Sequence, residues 1–236
     1  MKLSIVIPVY NEEQFVQTIV ARVIEAALPP GMTRQLVMVN DCSRDGTAAK
    51  IDQLPGMYPG VEFKIHHKTV NEGKGAALRT AFELADGDII LVQDADLEYD
   101  PADYLKLLGP IVEGKADVVY GSRFIGEPHR VMYYWHSVAN WVLTTMSNMC
   151  TNLNLTDMEV CYKVFKTDVI RRIRLKSNRF GFEPEVTAKI SKLRPRLKIY
   201  EVGVAYHGRS YEEGKKITWK DGVSAVYCIL RYQFLD

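Results

Sequence analysis

Two carboxylates one residue apart, in Asp94-Ala95-Asp96, follow directly on the apolar run Ile89 to Val92, with Glu98 close behind. Such a pair suits a hard divalent cation that completes its coordination with substrate phosphates. The same residue type also serves turns and helix starts, so position has to decide between the two readings. A further acid, Asp41, ends a second apolar run, Leu36 to Val39. In an open α/β sheet, ligands bind beyond the carboxyl ends of the strands. If both runs are parallel strands of one sheet, Asp41, Asp94 and Asp96 open into a common crevice. Acids crowded into a dry crevice repel one another unless a cation stands among them, and a divalent metal carrying a diphosphate meets that need. Asp41 could instead hold a base or ribose through hydrogen bonds, as acids do in other nucleotide folds.

The elements that must carry these acids can be read from the spacing of apolar residues. Leu3 to Val9 reads as a first buried strand. Asn11 and Glu12 lead into a helix reaching about Leu28, with the stripe Phe15, Val16, Ile19, Val20, Val23, Ile24, Ala27 and Leu28. Pro29-Pro30-Gly31 stops it. The cluster from Asn40 to Thr47 is turn chemistry leading into a helix. Val61 to Ile65 is a third strand, and Asn71-Glu72-Gly73-Lys74-Gly75 opens a helix bearing Ala77, Leu78, Ala81, Phe82 and Ala85. After the acidic run a helix spans Pro101 to about Val112, and Val118 to Tyr120 is a closing strand. This alternation predicts a parallel, doubly wound sheet with right-handed crossovers.

Beyond Tyr120 the rhythm breaks. Gly121 to Arg130 is a loop holding Arg123 and Arg130. Val131 to Leu153 is rich in Trp, Tyr, Met and Leu, but His136, Ser137, Asn140, Thr144, Thr145, Ser147 and Asn148 interrupt it. It therefore lacks the ~20 uniformly apolar residues of a membrane span. Two readings stand: a helix in a membrane interface, where Trp and Tyr are favoured, or a core helix packed on the sheet. Cys161 to Phe165 reads as a strand, Glu183 to Leu193 as a helix and Lys198 to Val204 as a last strand. His207 to Lys216 is a polar, basic loop and Thr218 to Phe234 a final amphipathic helix.

With 236 residues, 47% apolar and 25% charged, the chain can bury a full core. A net charge of +1 offers no global attraction for nucleic acid, so electrostatic recognition has to be local. Cys42, Cys150, Cys161 and Cys228 are scattered without a paired metal spacing and read as free thiols of a reducing compartment. The apolar stretch in Met1 to Pro8 is too short for a signal peptide, and a cytosolic chain is expected.

Four motifs, Ile7-Pro-Val-Tyr-Asn-Glu12, Val39-Asn-Asp-Cys-Ser-Arg-Asp-Gly-Thr47, Asn71-Glu-Gly-Lys-Gly75 and Asp94-Ala-Asp96, occur in the order and spacing of family-2 glycosyltransferases. The closest branch resembles the dolichyl- or polyprenyl-phosphate sugar synthases. The resemblance covers essentially the whole chain. It implies a single GT-A catalytic domain over residues 1–236, an α/β fold with a doubly wound, mostly parallel sheet. Residues 1–120 would form a Rossmann-like nucleotide-sugar half and residues 121–236 an acceptor half. It further implies a nucleotide-sugar donor (GDP-mannose and UDP-glucose users both fit), Mg²⁺ or Mn²⁺, and inversion at the sugar carbon. The acceptor would be a polyprenyl phosphate, reached at the cytoplasmic face of a membrane by peripheral binding or through a membrane-embedded partner subunit.

Carried over residue by residue, Pro8, Tyr10, Glu12 and Asp41 resemble nucleoside-binding positions, and Lys74 a donor-contacting one. The loop around Lys74 is not a phosphate-binding P-loop, because the Gly-x4-Gly-Lys-Ser/Thr pattern is missing. Asp94 and Asp96 match the metal-diphosphate motif, with Glu98 a further candidate ligand. Arg209 and Lys215, beside Lys216, resemble a late basic loop that closes on the donor diphosphate. Arg123 resembles the residue opening the acceptor loop; with Arg130 it suits a phosphomonoester, since guanidinium forks grip phosphate oxygens. Asp157 lies in the place of an acceptor-site motif, but Thr156-Asp-Met-Glu-Val-Cys-Tyr-Lys163 lacks the family's proline and glycine, which leaves the roles of Asp157 and Glu159 open. Glu183 and Glu185 sit where the family places a catalytic-pocket helix. A phosphomonoester with a second pKa near ~6 is largely dianionic at neutral pH and can attack without losing a proton. Asp96 and Arg123 would then carry the chemistry, with Asp157 orienting groups. A hydroxyl acceptor would instead need a carboxylate base. A catalytically silent nucleotide-sugar-binding protein is the remaining alternative.

Overall fold

A computed structural model describes residues 1–126, 130–131, 133–208 and 219–235. Its first part runs β1 (Lys2–Val9), α1 (Val16–Glu25), β2 (Thr33–Asn40), α2 (Thr47–Met57), β3 (Glu62–His67), α3 (Lys74–Leu84) and β4 (Ile89–Val92). A 3-10 turn at Pro101–Asp103 then enters α4 (Tyr104–Val112), followed by β5 (Val118–Ser122). The second part runs α5 (Tyr134–Thr151), β6 (Lys163–Lys166), α6 (Thr167–Arg171), α7 (Phe182–Lys192), β7 (Ile199–Gly203) and α8 (Trp219–Phe234).

The strands form one 7-stranded sheet in the order β3-β2-β1-β4-β6-β5-β7. Strands β1 and β4 bury nearly all their side chains because helices cover both faces, which is why they read as unbroken apolar runs. One expectation is corrected. The alternation predicts a parallel sheet, yet β6 lies between β4 and β5 and runs antiparallel to both. A doubly buried strand has the same composition in either direction, so its pattern carries no orientation. The α1 helix also stops at Glu25, short of Leu28. The Arg34 guanidinium takes the open carbonyls of Ile24 and Ala26 at 2.6 and 2.8 Å, ending the helix before the prolines. The short α6 gave no periodic signal.

Helix α5 packs mainly against α7 and α8. Its inner face mixes small polar residues with Leu143, Met146 and Cys150, which pack against the core. Thr144, Ser147 and Thr151 are buried, Met158 N–H donates to Thr144 Oγ1 at 3.1 Å, and Asn148 pairs with both backbone groups of Leu155. Its outer face is apolar: Trp135, Trp141 and Met149 are 75%, 67% and 80% exposed, and Val142 is exposed with them. Helix α8 packs beside α5 and α7. It buries Ala225, Cys228, Ile229 and Tyr232 but turns Val223, Tyr227, Leu230 and Phe234 outward at helical spacing. Val226 is half-buried. Among the described residues no helix is long and apolar enough to cross a membrane.

Candidate active site

The chain passes from β1 to β2 and β3, then returns to β4 on the other side of β1, so the switch in direction lies between β1 and β4. That is where open α/β sheets place a ligand crevice. Val9 is level with Asn40 and Val6 with Val92, which brings the ends of β1, β2 and β4 to one edge. Pro8, Tyr10 and Glu12 are half-buried there. Asn11 takes a left-handed φ of 52°, a conformation Asn tolerates better than most residues. Its N–H donates to Ser43 Oγ and its Oδ1 accepts from Arg44 N–H, both at 2.9 Å, while Glu12 N–H donates to Thr47 Oγ1 at 3.0 Å. The loops after β1 and β2 are thus stitched into one rim.

Asp41 is 2% exposed and already heavily engaged. Its carboxylate accepts from Asn71 Nδ2 at 2.9 Å, Glu72 N–H at 3.1 Å and Gly73 N–H at 2.6 Å. In this state it ties the loop before α3 to the end of β2. Gly73 and Gly75 are required by close approach: a Cβ on Gly73, whose φ is 100°, would lie 2.6 Å from the Asn178 carbonyl oxygen, and one on Gly75 would meet that of Ser177. The permissive glycines therefore seat Lys74 against the crevice floor.

Lys74 Nζ reaches Asp94 Oδ1 at 2.9 Å and Glu183 Oε1 at 3.1 Å. Burial works against its charge, but Asp94, Cys161 and Glu183 outweigh it and hold the ammonium protonated well above the ordinary range. Asp94 behaves conversely: burial opposes ionisation, and Lys74, with a hydrogen bond from the Cys161 thiol, keeps its pKa low. Behind it, fully buried Gln93 accepts from Tyr104 OH and Tyr162 OH, each at 2.8 Å, and donates to the Asp94 carbonyl at 3.0 Å. Asp94 is thus a rigid, ionised group.

Asp96 Oδ1 accepts from Glu98 N–H at 3.1 Å. Glu98 turns its carboxylate to Tyr206 OH at 3.1 Å and its carbonyl to His207 N–H at 2.8 Å. It thereby anchors the segment leading to residue 209, while Arg209, Lys215 and Lys216 lie outside the described residues. Among the described residues no three His, Cys, Asp or Glu side chains gather closely enough to hold a metal by themselves. The chemistry still fits Mg²⁺ or Mn²⁺. Asp94 and Asp96 present oxygen donors at the crevice, and such ions commonly take one or two carboxylates and complete their shell with water and substrate phosphate.

On the acceptor side, Arg123 closes its fork on Asp157, with Nε to Oδ2 at 2.6 Å and Nη2 to Oδ1 at 2.7 Å. The Arg123 backbone N–H adds a bond to Oδ2 at 3.1 Å, and Nη2 also reaches Asn140 Oδ1 at 3.1 Å. The guanidinium lies 5.2 Å from the Tyr206 ring centroid. Burial opposes its charge, but Asp157 more than compensates and raises its pKa. Asp157 is fully buried, with both oxygens accepting hydrogen bonds from Arg123. Exposed Arg130 bonds the Gly208 carbonyl at 3.1 Å and shares the loop with Tyr206 through its N–H.

Glu159, Glu183 and Glu185 lie in segments that the family resemblance marked, whereas Lys163 was given no role by it. Lys163 is fully buried under Tyr120, with Nζ donating to the Val160 carbonyl, and burial lowers its pKa. Glu159 carries a pKa pushed up from 4.5 to about 8 by burial and by Glu183. Glu183 faces Lys74, whereas Glu185 turns away to receive Lys176 N–H and Ser177 N–H at 2.6 and 2.7 Å. A polar residue inside an apolar strand pattern was the available hint for Lys163.

A family model of glycosyl transferase family 2 matches residues 4–174, and the chain belongs to that family. Its relatives include polyprenyl-phosphate sugar synthases. It is 26% identical to a dodecaprenyl-phosphate galacturonate synthase of Rhizobium johnstonii, over 91% of this chain and 62% of that protein. It is 29% identical to an undecaprenyl-phosphate mannosyltransferase of Micrococcus luteus, over 91% and 87%. With a dolichol-phosphate mannosyltransferase of Pyrococcus furiosus it shares 34% identity over 53% of this chain, spanning 34% of that relative's length. A solved glucosyl-3-phosphoglycerate synthase of Mycobacterium tuberculosis, in complex with Mn²⁺ and UDP, superposes over 100% of this chain and 81% of its own, with a TM-score of 0.74 at 16% identity. That likeness is one of fold, and the fold is GT-A.

Proposed function

We propose that this chain transfers a hexose from a nucleoside-diphosphate sugar to a polyprenyl phosphate, with inversion, at a membrane surface. The observation that carries the reading is the double role of α5. Its inner face sends Asn140 to Arg123, and its outer face presents Trp135 and Trp141 to the surroundings. A lipid whose chain rests against that outer face would bring its phosphate close to the Arg123–Asp157 pair. The remaining apolar positions on α8 extend the same surface, while the side chain of Trp219 lies outside the described residues.

The acceptor phosphate, largely dianionic at neutral pH, attacks the sugar carbon without a base, which agrees with an Asp157 committed to Arg123. Arg123 orients the acceptor, with Arg130 at the loop end. Lys74, fixed as a cation, meets the departing diphosphate, and Pro8, Tyr10, Glu12 and Asp41 form the nucleoside end. Asp94 and Asp96 would hold a divalent cation that neutralises the diphosphate, with Glu98 adjacent. A panel of nucleotide sugars, GDP-mannose and UDP-glucose included, tests the reading against polyprenyl phosphate in liposomes. Radiolabel should enter the lipid phase with at least one donor and should not with Asp96→Asn. Transfer to soluble sugar hydroxyls in place of lipid would overturn it.

A further inference from the structure

Residues 156–163 join α5 to β6, and their backbone is pinned from several directions. Asp157 N–H donates to Glu201 Oε1 at 3.0 Å, Met158 N–H to Thr144 Oγ1 at 3.1 Å and Cys161 N–H to Tyr99 OH at 3.3 Å. The Val160 carbonyl accepts from Lys163 Nζ. Glu159 is therefore held in place, yet its Oε1 is buried without any hydrogen-bond partner among the described residues. Its strongest electrostatic neighbours are Glu183 and Lys163, followed by Arg123 and Asp157. Its neighbours thus include Glu183, which pairs with Lys74 beside Asp94, and the Arg123–Asp157 pair. Asn140 Nδ2, on the side chain that meets Arg123, is likewise buried and unpartnered.

In an in-line displacement the sugar ring occupies the gap between leaving diphosphate and attacking phosphate. A buried carboxyl oxygen without a partner lowers the stability of the fold, and a bound hydroxyl removes that penalty. Building on the transfer reading above, we infer that Glu159 is a donor-sugar contact whose carboxyl hydrogen-bonds one ring hydroxyl of the hexose and so selects donors that carry it. A site built around such a bond rejects the analogue lacking the hydroxyl more strongly than an apolar pocket rejects a misfit.

The test is calorimetric binding to the full chain, with Mn²⁺, of the nucleoside diphosphate, the nucleotide hexose and its monodeoxy analogues. Wild type, Glu159→Gln and Glu159→Ala are compared. Glu159→Ala should weaken the nucleotide hexose about tenfold and change the bare diphosphate by less than about twofold. One monodeoxy analogue should show the same loss with wild type and no further loss with Glu159→Ala, the signature of a direct pair. Glu159→Gln should fall between, since the amide keeps both an acceptor and a donor. Equal weakening of diphosphate and nucleotide hexose, no weakening at all, or equal deoxy losses in wild type and Glu159→Ala would each overturn the inference. A wild-type chain that binds neither ligand overturns the transfer reading as well; one that binds both but is indifferent to Glu159 overturns this inference alone.

Discussion

Removing Asp157 should be among the most damaging single changes in this chain. Its carboxylate, fully buried, takes three hydrogen bonds from Arg123, at 2.6, 2.7 and 3.1 Å. Asp157→Ala leaves a buried guanidinium without its counter-ion, a loss of about 3–5 kcal/mol. It also leaves the Arg123 backbone N–H unpaired, adding about 1–3 kcal/mol where water cannot reach it. In a domain of this size each kcal/mol moves Tm by about 2–4 °C, so a fall on the order of 10–20 °C follows. Asp157→Asn keeps the shape and one acceptor and should lose less. Replacing both partners, Arg123→Met with Asp157→Leu, should recover part of the loss, because a buried ion pair is often close to neutral against apolar residues of similar volume. Urea unfolding followed by tryptophan fluorescence completes the cycle, with an expected coupling of about 2 kcal/mol or more. A cost below about 1 kcal/mol for Asp157→Ala, or strict additivity in the double variant, would refute the pairing energetics. In activity, folded Asp157→Asn should keep measurable turnover with a raised KM for lipid, and Asp96→Asn should not; equal inactivity would make Asp157 more than an orienting group.

Three further outcomes are expected. Glu159 holds its proton to about pH 8 in the fold but releases it near 4.5 when unfolded, so wild type loses stability as pH rises between those values. Glu159→Gln escapes this loss, and its advantage in urea melts should be absent near pH 4 and complete by about pH 8; a flat difference across that range would show the carboxyl to be solvated. Gly75→Ala drives a Cβ against the Ser177 carbonyl oxygen, which should cost on the order of 2–4 kcal/mol in thermal unfolding and weaken nucleotide-sugar binding as Lys74 moves. Gly60→Ala, with nothing within 4 Å, is its control and should stay within about 0.5 kcal/mol. Trp135→Ser with Trp141→Ser, at positions 75% and 67% exposed, should abolish liposome binding while leaving stability within about 0.5 kcal/mol and nucleotide binding unchanged. Retained liposome binding would remove α5 from the membrane contact.

Long apolar runs and turn chemistry made most of the sheet legible in the sequence. A strand buried on both faces has few alternatives, and the turns after β1, β2 and β4 carry Asn, Asp and Gly where the chain must bend sharply. Strand order past β4 was not legible, since β6 is a four-residue strand with lysines at both ends, and its direction depends on where α5 returns the chain. Asp41 shows the same limit within the site. Its type suggested a ligand, but only folding showed its carboxylate already satisfied by the Asn71–Gly73 turn.

The amino-acid sequence by itself determined the alternating strands and helices of the first half, the placement of Asp94 and Asp96 at a strand end, and membership of a glycosyltransferase family, because these follow from local patterns. Tertiary structure alone decided that Lys74 pairs with Asp94 and Glu183, that Arg123 closes on Asp157, and that Oε1 of Glu159 is buried without a hydrogen-bond partner among the described residues. Each of those relations joins residues far apart in the chain, and electrostatics in a buried crevice depends on distance and desolvation, which no linear spacing encodes. Helix α5 belongs to both accounts: its composition was plain in the sequence, but only packing showed which of its faces looks outward.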